Sequence, residues 1–199
     1  MEQKQKKTSN QWWQVLNACK KLAMDKYDDY GGSVFVLRTP SMVDQIRNKC
    51  LRIISIQETK TQKIDDSINS EFVGIINYSI MGLMILEDKA DEDLPKHEFE
   101  KLYDQKTETI HELMMKKNHD YGEAWRGMGE TSFPDLIRQK LVRMKTMTEN
   151  GGAKVSEDLD ANYHDIINYA IFWLILEMQR GNFEVETEVK LGTESTEQK

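Results

Sequence analysis

Cysteine is scarce in this sequence, and its scarcity argues against two classes of protein. Cys19 and Cys50 are the only cysteines among 199 residues. Two thiols are too few for a disulfide framework or for a thiolate metal site. The composition is typical of a protein kept in a reducing compartment, and we expect a cytoplasmic location.

Long apolar runs are also missing. The longest, residues 170–176, is far shorter than the roughly 20 residues that a helix needs to cross a bilayer. The first ten residues include four charged side chains and have no apolar run behind them, so we expect no signal peptide and no membrane partner. The net charge of −7 argues against an extended nucleic-acid surface but is compatible with a local basic pocket.

No stretch alternates as a strand does, whereas apolar residues recur at helical spacing over most of the chain. We therefore predict an all-α fold with six main helices. Their predicted bounds are residues 11–26, 39–58, 66–86, 96–118, 133–149 and 157–179.

The sequence repeats itself with a shift of 91 residues. Residues 22–83 align without a gap on residues 113–174, and 20 of these 62 positions are identical. This pattern predicts a tandem duplication of a three-helix unit, packed about a pseudo-twofold axis as one globular helical bundle. The first repeat would span residues 9–88, the better-preserved second repeat 96–181, and a loose polar tail 182–199.

The last helix carries acidic and amide residues on an otherwise apolar segment. At about 100° per residue, five of them fall on one side of the helix: Glu157, Asp160, His164, Asp165 and Asn168. Ionised carboxylates among core residues are costly unless they are paired or bind a cation. With Asp120, the three acids predict a site for Mg²⁺ or Mn²⁺, which prefer oxygen ligands. The alternatives are solvated helix faces or an internal ion-pair network.

Lys140 and Arg143 lie three residues apart on the fifth helix and recur as Lys49 and Arg52. Such a pair can hold phosphate oxygens, or it can form ion pairs with the acidic helices. Trp125, beside the Asp120-Tyr121-Gly122 loop, would stack on a base or pack in the core. Glu108 and His111 match half of a di-iron motif whose second half is absent.

The spaced set Lys117 to Trp125, Ile137-x-x-Lys140-x-x-Arg143 and Asp165 to Tyr169 resembles the nucleotide-modification-associated domain 1 family of phages and bacteria. The final helix also resembles that of MazG-like all-α nucleoside triphosphate pyrophosphohydrolases, which use Mg²⁺ to release pyrophosphate. The Glu-Glu-x-x-Glu run of the MazG-like first catalytic helix is absent, so the resemblance implies a nucleotide more strongly than a reaction.

These patterns lead to two hypotheses. In the first, a metal at the acidic residues binds a nucleoside triphosphate, Lys140 and Arg143 balance the phosphate charge in catalysis, and hydrolysis releases a monophosphate and pyrophosphate. Four residues would contact the nucleotide: Tyr121, Trp125, Asn168 and Tyr169. In the second, the chain is a non-catalytic module that binds a nucleotide or a protein in a DNA-modification system. A purely structural helical scaffold is a third, weaker reading, and the sequence leaves open whether the chain forms a homodimer.

Overall fold

Six long helices follow one another along the chain in a computed structural model, which describes residues 2–149 and 155–185, without the side chains of residues 2 and 155–158. The helices are α1 (Glu2–Tyr30), α2 (Thr39–Thr59), α3 (Ile68–Leu86), α4 (Lys96–Tyr121), α5 (Ser132–Glu149) and α6 (Val155–Gln179). Two short 3-10 helices, Ser33–Val36 and Ala124–Gly127, follow α1 and α4. The described residues contain no strand, so the all-α prediction is confirmed.

Local sequence signals set most of these bounds. Proline stands in the first turn of α2 and at the N-cap of α4, where its fixed φ suits the start of a helix. The Ser67 hydroxyl caps α3 by accepting a hydrogen bond from the Ser70 amide. Gly122, at φ 60°, ends α4 in the left-handed region that glycine adopts easily. The part of the predicted tail beyond residue 185 lies outside the described residues.

Helices α3 and α6 form the centre of the hydrophobic core and pack against each other. The Tyr163 ring of α6 packs directly on α3 at Gly82, where an added Cβ would lie 2.7 Å from that ring. Helix α3 is long and apolar enough to span a membrane by length and composition, but most of it is buried inside this bundle. Helices α2 and α5 pack on each other and on this central pair, while α1 and α4 pack together.

Two buried hydrogen bonds recur at positions 91 residues apart. Trp12 Nε1 donates to Asn168 Oδ1 at 3.0 Å, and the Tyr103 hydroxyl donates to Asn77 Oδ1 at 2.8 Å. In each pair, an aromatic residue from one half of the chain fixes an asparagine of the other half. This recurrence supports the duplication predicted from the sequence, which stays a prediction.

Candidate functional site

The carboxylate of Asp165, the acid that the sequence places on a core helix, is held between two lysines. Lys117 Nζ donates to Asp165 Oδ1 at 2.6 Å, and Lys140 Nζ lies 2.8 Å from Oδ2. Burial alone would raise the pKa of Asp165, but the hydrogen bonds from the two lysines outweigh it and lower that pKa. The group therefore stays ionised at neutral pH, and the three side chains carry a net charge of +1.

Three helices bring these side chains together. Lys117 lies near the end of α4, Lys140 in the middle of α5 and Asp165 in the middle of α6. The α6 face that carries Asp165 also presents Asn168 and Tyr169 to the same cavity. We call this cavity, lined by Lys117, Lys140, Asp165, Tyr121, Asn168 and Tyr169, the C-terminal pocket. Its volume is about 420 Å³, within the range usual for small-molecule sites.

Trp125 forms a wall of the C-terminal pocket and is 6% exposed. Its ring stacks on Phe172 with centroids 4.3 Å apart and planes 5° apart. The Arg126 guanidinium lies 4.2 Å from the Trp125 ring centroid and, because Phe172 fills one face, covers the other. Trp125 is thus packed in the core, which is one of the two alternatives that the sequence leaves open, and its contact with a nucleotide stays a prediction.

Tyr121 and Tyr169 have more freedom to contact a ligand. Tyr121 is 74% exposed at the rim of the C-terminal pocket, unusually open for a large aromatic residue. Tyr169 is half-buried. Burial is the main cause that raises the pKa of its hydroxyl, and the nearby negative charge of Asp165 adds to it. Both rings border the lysines, so a bound group can contact a cation and an aromatic face together.

Two buried asparagines add amide groups to this pocket. Trp12 Nε1 donates to the Asn168 carbonyl oxygen, and Asn168 lines the cavity. The Asn118 carbonyl oxygen accepts from Trp125 Nε1 at 3.1 Å, and its buried nitrogen makes no hydrogen bond of normal geometry, although it contributes to lowering the pKa of nearby Glu123. An unsatisfied amide nitrogen beside a cavity, as in Asn118, favours a ligand that accepts hydrogen bonds.

The loop beside Trp125 is held by the beginning of α1. Glu123 adopts a left-handed φ of 62°, and its carboxylate is bonded by Thr8 and by Arg126. Arg126 also donates to Thr8 at 2.7 Å and to Gln11 at 2.9 Å. Thr8 and Gln11 are buried, so residues from the first turns of the chain fix one wall of the C-terminal pocket.

Of the four acids predicted to bind a metal, the three with described side chains have different surroundings. Asp120 is exposed beside His119, Asp160 pairs with His164 at 2.9 Å, and Asp165 is held by the lysines. The side chain of Glu157 lies outside the described residues. Within residues 2–149 and 155–185, no group of three or more His, Cys, Asp or Glu side chains is placed to hold a metal. The described side chains alone do not fit Mg²⁺ or Mn²⁺, and the metal stays a prediction.

The basic pair that lines the C-terminal pocket is Lys117 with Lys140, rather than Lys140 with Arg143. Arg143 is exposed, lies one helical turn beyond Lys140, and is not among the residues lining the cavity. Its catalytic role stays a prediction. The sequence does contain a pattern that points to Lys117, because a lysine, Lys26, occupies the corresponding position of the first repeat.

His111, the histidine of the incomplete di-iron motif, is not surrounded by metal ligands among the described residues. His111 Nε2 is 2.9 Å from the Ser9 hydroxyl, and its ring lies 5.0 Å from that of Trp12. Burial lowers the pKa of His111, while the charge of Glu112 opposes the shift. These contacts place His111 in the packing between α1 and α4.

Comparison with known proteins gives a match to a family model. The model describes the nucleotide modification associated domain 1 and matches residues 26–86 and 117–176. No curated protein and no solved structure matches the chain, and the MazG-like similarity stays a prediction. The two matched segments begin at Lys26 and Lys117, contain most of the C-terminal pocket and together cover more than half of the 199 residues. The chain therefore belongs to the nucleotide modification associated domain 1 family.

Proposed function

We propose that this protein binds a nucleotide in the C-terminal pocket, with a phosphate group at Lys117 and Lys140. The observation that carries the proposal is the net positive Lys–Asp–Lys cluster, which lies in a cavity of about 420 Å³ beside two accessible tyrosines. The family description agrees with a nucleotide ligand. Lysines bind phosphate as point charges, and a phosphate would compete with Asp165 for both of them.

The remaining lining groups suit the rest of a nucleotide. Tyr121 offers an aromatic surface on which a base can stack. The Asn168 amide, held in place by Trp12, offers a fixed donor to an acceptor on the base or sugar. The Tyr169 hydroxyl, kept protonated by its raised pKa, offers a second donor.

The finer proposal is Mg²⁺-dependent hydrolysis of a nucleoside triphosphate to a monophosphate and pyrophosphate. Its support is the placement of Asp165 within the pocket and the resemblance of α6 to the MazG-like final helix. A bound Mg²⁺ would supply charge neutralisation and an activated water, whereas Lys117 and Lys140 would orient the phosphates. The alternative is binding without turnover, which needs only the lysine cluster and the aromatic rim.

Calorimetric titration with ATP, AMP and inorganic phosphate, with and without Mg²⁺, tests the proposal. Lys117→Gln and Lys140→Gln should each weaken ATP binding, by roughly tenfold to a hundredfold for a charge-assisted hydrogen bond. Lys116→Gln is the matched control, because Lys116 is an exposed neighbour on α4 outside the pocket lining. Equal affinities for the wild type and both pocket variants would overturn the proposal. Chromatography of the same mixtures shows whether pyrophosphate is released.

A further inference from the structure

A second cavity lies in the other half of the chain. It is lined by Lys26, Tyr30, Lys49, Glu71, Asn77 and Tyr78, among others, and has a volume of about 280 Å³. We call it the N-terminal pocket. The sequence shows this half as the less well-preserved repeat, and the structure gives it a cavity of its own.

The N-terminal pocket is built from the same elements as the C-terminal one. Lys26, Tyr30, Lys49, Asn77 and Tyr78 correspond, with the shift of 91 residues, to Lys117, Tyr121, Lys140, Asn168 and Tyr169. Tyr30 is 68% exposed, as open as its counterpart. Each cavity thus has two lysines, an exposed tyrosine at the rim and an asparagine held by an aromatic residue from the other half.

The position of the carboxylate differs between the two cavities. Gly74 stands where the C-terminal pocket has Asp165, and the Lys49 side chain fills the space beside it, 2.7 Å from where a Cβ would lie. The acid is instead Glu71, which is buried and bonded by Lys49 at 3.1 Å and by Arg52 at 2.5 Å. The carboxylate therefore lies one helical turn away from the position of Asp165.

Because the carboxylate has moved, Lys26 has no acidic partner among the described residues. Lys117 is paired with Asp165, but Lys26 makes no ion pair or hydrogen bond with any residue that the structure describes. A phosphate can reach Lys26 without displacing a carboxylate, since Glu71 is already satisfied by Lys49 and Arg52. Lys26 and Tyr30 lie one helical turn apart on α1, so they can contact one ligand.

The charge balance distinguishes the ligands that the two cavities fit. The charged residues lining the N-terminal pocket are Lys26, Lys49, Asp66 and Glu71, with a net charge of zero, against +1 for Lys117, Lys140 and Asp165. The cavity is also smaller, about 280 Å³ against about 420 Å³. Both differences favour a ligand with fewer phosphates.

We propose that the N-terminal pocket is a second nucleotide site, which takes a nucleoside monophosphate with its phosphate at Lys26 and its base on Tyr30. The Asp66 carboxylate and Ser70 hydroxyl are both exposed and line the cavity. Both can accept hydrogen bonds from sugar hydroxyls, since the Ser70 hydroxyl already donates its proton to the Ser67 carbonyl oxygen. The choice of a nucleotide rests on the proposed function, but the site does not require the C-terminal pocket to be filled. A molecule of this protein would then bind two nucleotides of different charge.

Calorimetry with AMP on the full chain, in metal-free buffer, tests this second site. Tyr30→Ala should weaken AMP binding by about fivefold or more, because it removes the ring on which the base stacks. Lys26→Gln should weaken AMP binding by about fivefold or more, because it removes a charge-assisted hydrogen bond to the phosphate. Both residues are exposed, so the variants should fold. Lys21→Gln is the comparison on the same helix, α1, and Lys117→Gln is the comparison in the C-terminal pocket. Lys117→Gln should leave the affinity of the Lys26 site for AMP unchanged.

The two proposals fail in different ways. If Lys117→Gln abolishes all AMP binding while Lys26→Gln and Tyr30→Ala have no effect, the second site is wrong and the proposed function stands. If only the Lys26 and Tyr30 variants lose binding of AMP and ATP, the N-terminal pocket is the nucleotide site and the C-terminal assignment is wrong. If the wild type binds neither nucleotide, both proposals are wrong.

Discussion

Replacing Asp165 by asparagine separates a phosphate site made by lysines from a site made by a metal. The substitution keeps the size of the side chain and removes the negative charge that Lys117 and Lys140 share at 2.6 and 2.8 Å. In a lysine site, Asp165 competes with the phosphate, so Asp165→Asn should tighten metal-free binding. In a metal site, Asp165 is a ligand, so the same change should abolish metal-dependent binding.

The expected magnitude follows from Coulomb's law for an accessible pocket. A phosphate held by the two lysines lies about 4–5 Å from the Asp165 carboxylate, where two unit charges repel by about 1 kcal/mol in water and more in a partly buried site. The Asp165 side chain is 20% exposed, so we expect a gain of about 1–2 kcal/mol. That energy corresponds to a roughly fivefold to thirtyfold lower Kd for ATP.

The assay is calorimetric titration of the wild type and Asp165→Asn with ATP, first in metal-free buffer at low ionic strength and then with Mg²⁺. In the metal-free titration, Asp160→Asn is the matched control, because Asp160 lies on the same helix but pairs with His164 instead of the lysines. With Mg²⁺, the control is Asp135→Asn, because Asp135 is an exposed acid of α5 outside the pocket lining and is not a predicted metal ligand. Weaker metal-free binding by Asp165→Asn would refute the reasoning. A loss confined to the Mg²⁺ titration would instead support the metal predicted from the sequence.

Two further predictions concern stability. Tyr103→Phe removes the buried hydrogen bond to Asn77 and should lower the free energy of unfolding in urea by about 1–3 kcal/mol. Tyr163→Phe should be neutral or stabilising, because the buried Tyr163 hydroxyl has no partner among the described residues; equal losses in the two variants would contradict this account. The stability should also depend on pH through Asp165. Burial raises the pKa of this carboxyl, but the hydrogen bonds from the two lysines outweigh it, so the pKa in the folded protein lies below the ordinary 3.8. The resulting contribution to the free energy of unfolding is fully present above the unfolded-state pKa and is lost as the pH falls through the folded-state pKa. Asp165→Asn should therefore flatten the loss of stability below about pH 4, and an unchanged acid limb in urea titrations at several pH values would argue against the lysine pairing.

The helical fold could be predicted because its determinants are local. Apolar spacing, the proline at the start of α2 and the glycine after α4 mark the helices within a few residues. The start of α1 could not be predicted, since its first turns are charged and have no apolar pattern. Those turns are fixed by contacts such as Thr8 with Glu123, which are 115 residues apart in the chain, and no local signal reports such a contact.

The candidate site could be predicted in part. Asp165 can be predicted because an acid on a core helix needs a partner, and Lys140 because the basic pair recurs in both repeats. The choice between Lys117 and Arg143 depends on how α4 and α5 are rotated about their axes, which spacing along one helix does not specify. The packing of Trp125 likewise depends on Phe172, a residue from another helix that covers its ring.

The crossed placement of Trp12 and Tyr103 makes each half of the chain dependent on the other. A fragment of residues 96–181 would keep both lysines and Asp165 but would lose the indole that orients Asn168. A fragment ending before Lys96 would likewise lose the phenol that orients Asn77. The two halves therefore cannot be separated into independent binding units, because each cavity depends on a side chain of the opposite half to orient its asparagine.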